Sequence, residues 1–492
     1  MSLSEVELFF FFPVVFALHW LGPRRTGWQN AVLLLASWVF YATWNVRLLP
    51  LLWASTAVDW WAARWLDAHP APEDDKPDPA LASKRRWVLG ISLVHNLGVL
   101  ALFKYAGFFA HSLNQLVGAL GGGDALPVLR FALPIGLSFY TFQRVGYVVD
   151  VFYGTTRATR SPLAFATFVA FFPQLIAGPI GRSTELLPQY EVPRKLLPKM
   201  LAGGAAFFLL GLFLKAYVAE TLAPVVDPVF AEPDLFTRRA HWGALFGYAA
   251  QVFGDFAGYS LLAIGTGRMF GLELPQNFDY PFLSQSMPEL WRRWHISLNR
   301  WLFDYIFGPL TTGTGWMRGR LDLGFVVVFL ASGLWHGAMW TFILWGLLHG
   351  LALALHHRYD EYYKTLCRKD RVWVQRRRSR PYKLVAWAGT ILFFVLTLVP
   401  FRAPSLGGAG TFALGLLRAG GDEGAPGVTP HAYLAVLLVI VYHALETAPL
   451  RRLRERLLAA PAPLRGIAYA AAIVFLAVFA PVGAGTFIYA QF

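Results

Sequence analysis

Cysteine is almost absent from this sequence, and its single occurrence, Cys367, excludes an intramolecular disulfide. Charged residues are also scarce, because Asp, Glu, Lys and Arg make up 15% of the 492 residues while hydrophobic types make up 56%. Soluble domains carry about 25% charged residues. The composition therefore excludes an ordinary soluble protein and predicts a chain that crosses a membrane many times.

Several catalytic signatures are absent as well. The sequence has no HExxH motif, no P-loop, no GxGxxG fingerprint and no GxSxG nucleophile elbow. No Cys, His and carboxylate residues show the spacing of metal ligands. A repeat at a fixed period, which an inverted-repeat transporter would show, is also missing. We therefore expect no metal site, no nucleotide hydrolysis and no serine-hydrolase chemistry.

Long apolar runs are what the sequence has instead. A helix needs about 20 apolar residues to cross a bilayer, and some runs suit re-entrant or interfacial helices, so we expect roughly ten to twelve spans. The predicted fold class is an all-α polytopic membrane protein, with one integral membrane domain over 1–492. The runs lie near residues 5–22, 28–44, 46–66, 87–109, 131–152, 163–180, 200–220, 242–270, 321–338, 339–356, 384–400, 431–448 and 466–488.

Positive charge is concentrated in two segments, 357–383 and 449–465, within a chain of net charge +14. The segment between them, 401–430, is rich in Gly and Pro and has few cations. The positive-inside rule places both basic loops in the cytoplasm, and it places 401–430 and the C-terminus outside. Cations beside membrane spans also attract anionic lipid. The lipid bilayer is therefore an expected partner and nucleic acid is not. The first run has no cleavage site, so we expect a retained span.

Histidines occur where burial makes a charge expensive. The stretch SGLWHGAMWTFILWGLLHG (332–350) contains His336 and His349, and His295 lies in another aromatic segment. An ionisable residue inside the membrane is a functional candidate. A buried imidazole favours its neutral form, which can accept a proton as a general base. The alternative is a histidine bonded to a nearby carbonyl for structural reasons, which we favour for His349.

Residues 289–306, ELWRRWHISLNRWLFDYI, have apolar and aromatic side chains on one helical face. Arg293, Arg300 and Asp304 lie on the opposite face, and His295 lies near the edge of the apolar one. The pattern predicts one amphipathic helix at the membrane interface or against the helical bundle.

Polar residues also interrupt three apolar stretches, 133–154, 171–182 and 248–265. Asp255 must be paired or face water if it lies in a span. The run FFPQLIAGPIGR (171–182) has two prolines and two glycines, which predict a broken helix. Non-helical backbone at membrane depth occurs only inside protein or beside a cavity, so these stretches indicate a cavity.

Together these stretches resemble the membrane-bound O-acyltransferases, specifically the bacterial branch around alginate O-acetyltransferase. The resemblance runs from about Ser37 to Gly350, its core motifs lie within 133–350, and the C-terminal spans of 384–492 match only weakly. In the element DFAGYSLLAIG, Ala257 replaces a serine and Leu261 replaces an aspartate of the family's DFSGYSDMAIG, which bears on the acceptor or partner. The motifs are LPIGLSFYTFQRVGYVVDVF, FFPQLIAGPI, GDFAGYSLLAIGTGRMFG, NFDYPF, ELWRRWHISLNRWLFDYIFGPL and SGLWHGAMWTFILWGLLHG.

The resemblance implies a ring of spanning and re-entrant helices around a central tunnel, which joins a cytoplasmic donor site to an external acceptor site. It makes His336 the essential catalytic histidine and His295 the second. Arg292 and Arg293 are candidates for binding the donor's phosphates, with interfacial snorkelling as the alternative. Candidates for substrate binding or for the tunnel wall are Trp335, Asp255, Tyr259, Ser260, Asn299, Gln143 and Gln174.

The implied reaction transfers an acetyl group from a cytoplasmic thioester, acetyl-CoA, to an exported polysaccharide such as alginate. The transfer is direct or passes through an extracytoplasmic acetyltransferase partner, and the implied location is the bacterial cytoplasmic (inner) membrane. Peptidoglycan, cellulose, a capsule, or teichoic acid receiving D-alanine are alternative acceptors. A proton-coupled transporter and an export scaffold are alternatives from other classes.

Overall fold

The structure is a computed structural model that describes residues 6–72, 78–123, 125–127, 133–418, 429–444 and 459–481, together with Leu3, Arg452 and Arg456. All regular secondary structure among these residues is helical. This confirms the predicted all-α fold class. The chain forms two compact units, the first from Met1–Phe208 and Leu261–Pro275 and the second from Leu209–Ser260 and Gln276–Phe492.

The first unit is built from apolar helices of the N-terminal half. Its helices are α1 (Val6–Leu21), α2 (Thr26–Asn45), α3 (Leu49–Ala68), α4 (Pro79–Leu100), α5 (Ala106–Ala119), α6 (Leu137–Phe152), α7 (Pro162–Ala170), α8 (Phe172–Leu175) and α9 (Ser183–Glu191). Helices α10 (Pro198–Leu212) and α12 (Arg238–Met269) contribute residues to both units.

The second unit contains the remaining helices, several of them short and joined by breaks. They are α11 (Glu220–Ala231), α13 (Met287–Arg293), α14 (Ile296–Leu302), α15 (Gly308–Thr312), α16 (Leu321–His336), α17 (Trp340–Lys369), α18 (Arg371–Arg378), α19 (Arg380–Arg402), α20 (Leu406–Gly415), α21 (Pro430–Ala444) and α22 (Ala462–Phe479). In the part of the chain that the structure describes, three segments are π-helical: Ala101–Tyr105, Phe213–Ala219 and Phe303–Phe307.

The protein is a multi-pass membrane protein. Three described apolar helices are shorter than a typical span: Phe10–Leu21, Leu321–His336 and Pro430–Ala444. The total of roughly ten to twelve spans stays a prediction. By length and composition, five described helical stretches can cross a bilayer: Thr26–Ala68, Pro79–Ala119, Pro198–Ala231, Arg380–Arg402 and Ala462–Phe479.

The basic segment 357–383 is helical. Helix α17 continues to Lys369, and α18 and the start of α19 fold beside it. Arg377 pairs with Asp360 at 2.6 Å. Burial raises the pKa of Asp360, but hydrogen bonds from Arg377 and Lys364 outweigh it and hold that pKa below its ordinary value. The predicted connection between two spans is thus an ordered helical unit. Residues 449–451, 453–455 and 457–458 of the second basic segment, with 419–428 and 482–492, lie outside the described residues.

Helices α16 and α17 form a tight antiparallel hairpin. A Cβ atom at Gly333 would lie 2.2 Å from the Phe342 carbonyl oxygen, and one at Gly346 would lie 2.2 Å from the Phe329 carbonyl oxygen. The two backbones therefore touch at glycines, as small residues allow in membrane helix pairs. The turn falls at 337–339, where the sequence separates its two predicted spans.

Replacing Gly346 by alanine should destabilise the hairpin. The added methyl group would overlap the Phe329 carbonyl, and overpacking of this kind costs about 1–3 kcal/mol. We expect Gly346→Ala to lower the thermal transition of the detergent-purified protein, measured by intrinsic fluorescence. Gly389→Ala in α19 is the matched control, since a Cβ there meets no atom within 4 Å. Equal transitions in the two variants would contradict the close packing.

Candidate functional site

His336 is the last residue of α16 and is buried, with 4% of its surface exposed. Its imidazole meets the ring of Trp345 at a centroid distance of 5.0 Å and the ring of Phe401 at 5.1 Å. Gly337 follows in extended conformation, and a Cβ there would lie 2.2 Å from the Phe342 ring. The helix therefore ends at the histidine, and aromatic rings enclose its side chain.

His295 lies in a break between α13 and α14. Its backbone is left-handed, with φ 46° and ψ 52°, and 1% of its surface is exposed. A residue other than glycine in this conformation carries about 1–3 kcal/mol of strain. The prediction of one continuous amphipathic helix over 289–306 is therefore wrong, because the chain leaves the helix at Trp294 and re-enters it at Ile296.

Hydrogen bonds from an upstream segment explain this break. The amide of Ile296 donates to the Asn277 carbonyl at 2.9 Å, and the amide of Ser297 donates to Oδ1 of Asn277 at 3.2 Å. The Arg293 carbonyl accepts from the amide of Asp279 at 2.9 Å. In a continuous helix the Ser297 amide would instead donate to the Arg293 carbonyl, and the Ile296 amide would donate to the carbonyl four residues before it. The segment 277–279 supplies the replacement partners.

One tryptophan links the two histidines. The Trp335 ring lies 5.7 Å from the His295 ring and 4.9 Å from the His336 ring, measured between centroids. Phe256 of α12 meets His295 from another direction, at 4.6 Å. The structure therefore brings together the three predicted residues His295, Trp335 and His336 in one buried aromatic site.

His349 has a structural environment. Its Nε2 and the Thr397 hydroxyl oxygen are 2.9 Å apart. The Thr397 hydroxyl donates to the Phe394 carbonyl at 2.7 Å, so its oxygen accepts from the histidine. This bond joins α17 to α19 and supports the structural interpretation of His349.

Asp255 is buried and paired, as the sequence requires. Its carboxylate lies 2.5 Å from Nζ of Lys215, and both side chains are almost fully buried. Lys215 belongs to the π-helical segment Phe213–Ala219. Lys215 is not among the residues predicted from the sequence, although a lysine inside the apolar run 200–220 is a recognisable signal.

Three further candidates, Tyr259 and Ser260 of α12 and Asn299 of α14, differ in burial and in hydrogen bonding. Ser260 accepts a hydrogen bond from Nδ2 of Asn277 at 3.1 Å, and Tyr259 is fully buried. Asn299 is half-buried on α14, one turn after His295. Asn277 is likewise not among the predicted site residues, although it begins the motif NFDYPF.

Gln143 and Gln174 belong to the first unit, and both are buried. Nε2 of Gln174 donates to the Pro179 carbonyl at 2.8 Å, within the segment 176–182, where the helix is broken as predicted. Gln174 therefore has a structural partner, and a substrate role for either glutamine stays a prediction.

The two candidate donor-binding arginines differ. Arg292 is exposed at the end of α13. Arg293 is half-buried, lies 3.1 Å from Glu289 and 3.8 Å from Asp279, and donates to the Asp279 carbonyl at 3.1 Å. Since these groups already engage Arg293, Arg292 is the more available cation. Within the described part of the chain, no group of three or more His, Cys, Asp or Glu is placed to hold a metal ion.

Fold and site together define an all-helical membrane protein with a buried histidine centre. A model of the MBOAT family, the membrane-bound O-acyltransferases, matches residues 137–399. The chain belongs to this family, and it is therefore a membrane O-acyltransferase that uses an acyl donor.

Curated relatives extend the match. The probable alginate O-acetylase AlgI of Azotobacter vinelandii is 40% identical over 407 residues, covering 82% of this chain and 75% of that protein. The peptidoglycan O-acetyltransferase of Helicobacter pylori is 32% identical over 432 residues, covering 82% and 77%. The teichoic acid D-alanyltransferase of Streptococcus thermophilus is 30% identical over 252 residues, covering 48% and 60%.

The Lys215–Asp255 pair should stabilise the second unit. Replacing Lys215 by methionine leaves a buried carboxylate without its cation, which costs about 3–5 kcal/mol. The double variant Lys215→Met/Asp255→Leu removes both charges and should regain most of that loss. Thermal unfolding of the detergent-purified variants measures both effects.

Arg402→Met is the control, because Arg402 pairs at 3.0 Å with Asp227, whose side chain is 45% exposed. Exposed pairs contribute about 0–1 kcal/mol, so this variant should unfold close to the wild type. A double variant as unstable as Lys215→Met would show that the charges do not act as a pair.

Proposed function

We propose that this protein transfers an acetyl group from acetyl-CoA in the cytoplasm to a polysaccharide exported from the cell. The observation that carries the proposal is the pair of buried histidines, His295 and His336, in contact with the single indole of Trp335. Proton transfer at a buried histidine suits a reaction between two substrates that meet inside the membrane.

In this mechanism His336 takes the proton of an acceptor hydroxyl. The hydroxyl oxygen attacks the thioester carbonyl carbon, a carbon–oxygen bond forms, and the carbon–sulfur bond breaks. The protonated imidazole then returns its proton to the departing thiolate, so that His336 is regenerated. The proposed role of His295 is to orient the donor or to stabilise charge on the carbonyl oxygen. Arg292 is the favoured contact for the donor's phosphates, because Arg293 is already engaged by Glu289 and Asp279.

The proposed setting is the bacterial cytoplasmic membrane, with one integral membrane domain arranged around a tunnel. The basic segments 357–383 and 449–465 would face the cytoplasm and the C-terminus would lie outside. Tyr259, Ser260 and Asn299 are proposed for the tunnel wall. Asp255 is proposed as a structural neighbour of that wall, because Lys215 neutralises it.

Alginate is the favoured acceptor. The relative named for alginate is 40% identical, against 32% for the one named for peptidoglycan and 30% over a shorter match for the one named for teichoic acid. An extracytoplasmic acetyltransferase that relays the acetyl group to the polymer is part of the proposal.

Replacing His336 by glutamine should abolish donor turnover. Glutamine retains polar groups of similar size but cannot accept a proton, and loss of a general base typically costs about 10²–10⁴-fold in rate. The measurement is release of free coenzyme A thiol from acetyl-CoA by the protein in nanodiscs, supplied with a bacterial envelope fraction.

His357→Gln is the matched control, since His357 lies in the basic helical segment and contacts Asp322 at 4.0 Å. It should turn over donor like the wild type. Turnover by His336→Gln at the wild-type rate would remove His336 from the mechanism.

The acceptor is tested by transfer of radiolabelled acetyl groups. We expect label from acetyl-CoA to appear in alginate when the wild-type protein and envelope proteins are present. We expect no label when His336→Gln replaces the wild-type protein in the same mixture. Label in peptidoglycan alone would favour peptidoglycan as the acceptor, as in the name of the Helicobacter pylori relative. Donor turnover without label in any polymer would contradict a polysaccharide acceptor.

A further inference from the structure

We infer that Asn277 is a positioning residue for His295. Its amide side chain holds the turn in which His295 adopts a left-handed backbone, and that turn directs the imidazole to Trp335 and Phe256. The inference deepens the proposed function, on which the catalytic meaning of His295 rests.

The Asn277 side chain is fully buried and well satisfied by hydrogen bonds. Its Oδ1 accepts from the hydroxyl of Ser297 at 2.9 Å and from the amide of Ser297 at 3.2 Å. Its Nδ2 donates to the hydroxyl of Ser260 on α12 at 3.1 Å. One side chain therefore ties the first turn of α14 to α12, and His295 lies directly before that turn.

The sequence around His295 is also compatible with a continuous helix, and the hydrogen bonds of Asn277 disfavour that conformation. The apolar and aromatic periodicity of 289–306 fits a continuous helix, in which the Ser297 amide would donate to the Arg293 carbonyl. In the structure that amide is taken by Asn277, while the carbonyl is taken by the amide of Asp279. In a continuous helix the His295 imidazole would point in a different direction and would lose its present contact with Trp335.

The contribution of the side chain can be separated from that of the backbone. The bonds from Ile296 to the Asn277 carbonyl and from Asp279 to the Arg293 carbonyl involve main-chain atoms only. They do not require the Asn277 side chain. Removing the amide should therefore loosen the turn without unfolding the segment.

The test compares Asn277→Leu with Asn277→Asp. Leucine has similar size and no hydrogen-bonding group. The carboxylate of aspartate can accept from the Ser297 amide and from the hydroxyls of Ser297 and Ser260, and these three donors offset the cost of burying its charge. We expect leucine to lower kcat by up to about 100-fold, since small displacements of a catalytic group have effects of that size. Aspartate should restore most of kcat. Gln276→Leu is the control, because its exposed side chain only bonds the Phe278 carbonyl.

A double-variant cycle shows whether Asn277 acts through His295. If it does, Asn277→Leu/His295→Ala should have the same kcat as His295→Ala alone, because the group to be positioned is gone. A further loss in the double variant, equal to that of Asn277→Leu in the wild type, would overturn the inference and leave Asn277 as a general structural residue.

A readout without activity separates this inference from the proposed function. Diethyl pyrocarbonate modifies exposed imidazoles, and peptide mass spectrometry reports its extent at His295, which is 1% exposed in the intact turn. Modification should increase several-fold in Asn277→Leu and not in Asn277→Asp or Gln276→Leu. If His295 is modified at the same rate in Asn277→Leu as in the wild type, the positioning role is overturned. If modification is faster in Asn277→Leu but His295→Ala keeps full acetyl-transfer activity, Asn277 positions His295 and His295 has no catalytic role.

Discussion

Inside a membrane, a break in a helix needs a protein group to replace each lost backbone partner, because no water is available to bond the freed amides and carbonyls. Two of the described breaks show how this constraint is met. The amide of Phe172 donates to the hydroxyl of Ser37 at 3.0 Å, and Gln174 bonds the Pro179 carbonyl. Asn277 bonds the amide of Ser297. The chemical site depends on the same requirement, since the His295 turn exists only where such a partner is provided.

Features encoded locally could be predicted from the sequence. The runs near 28–44 and 384–400 became α2 and α19 with ends displaced by a few residues, because length and hydropathy determine a membrane helix. The prolines and glycines of 171–182 predicted a broken helix, and the pairing of Asp255 followed from the cost of an isolated buried charge. Both histidines stand out as ionisable residues in apolar, aromatic stretches, and the resemblance of their motifs to one family adds their catalytic roles and Trp335 as expectations.

Features that depend on distant partners could not be predicted. The periodicity of 289–306 records which side chains are apolar, and it is insensitive to a single residue that leaves the helical conformation. The break at His295 is set by hydrogen bonds to Asn277 and Asp279, more than a dozen residues upstream. Lys215 is a different case, because its sequence signal was present but its partner Asp255 lies 40 residues away.

Both histidines stand where helical backbone stops, and this location has a chemical reason. A histidine in the middle of a membrane helix is surrounded by its neighbours' side chains, as His349 is when it bonds Thr397. His336 ends α16 and is followed by extended backbone, whereas His295 precedes α14. Aromatic rings surround both imidazoles, and their packing together with the direction of the chain contributes to how the imidazoles are oriented. Rigid orientation then comes from the glycines of the α16–α17 hairpin on one side and from the Asn277 amide on the other.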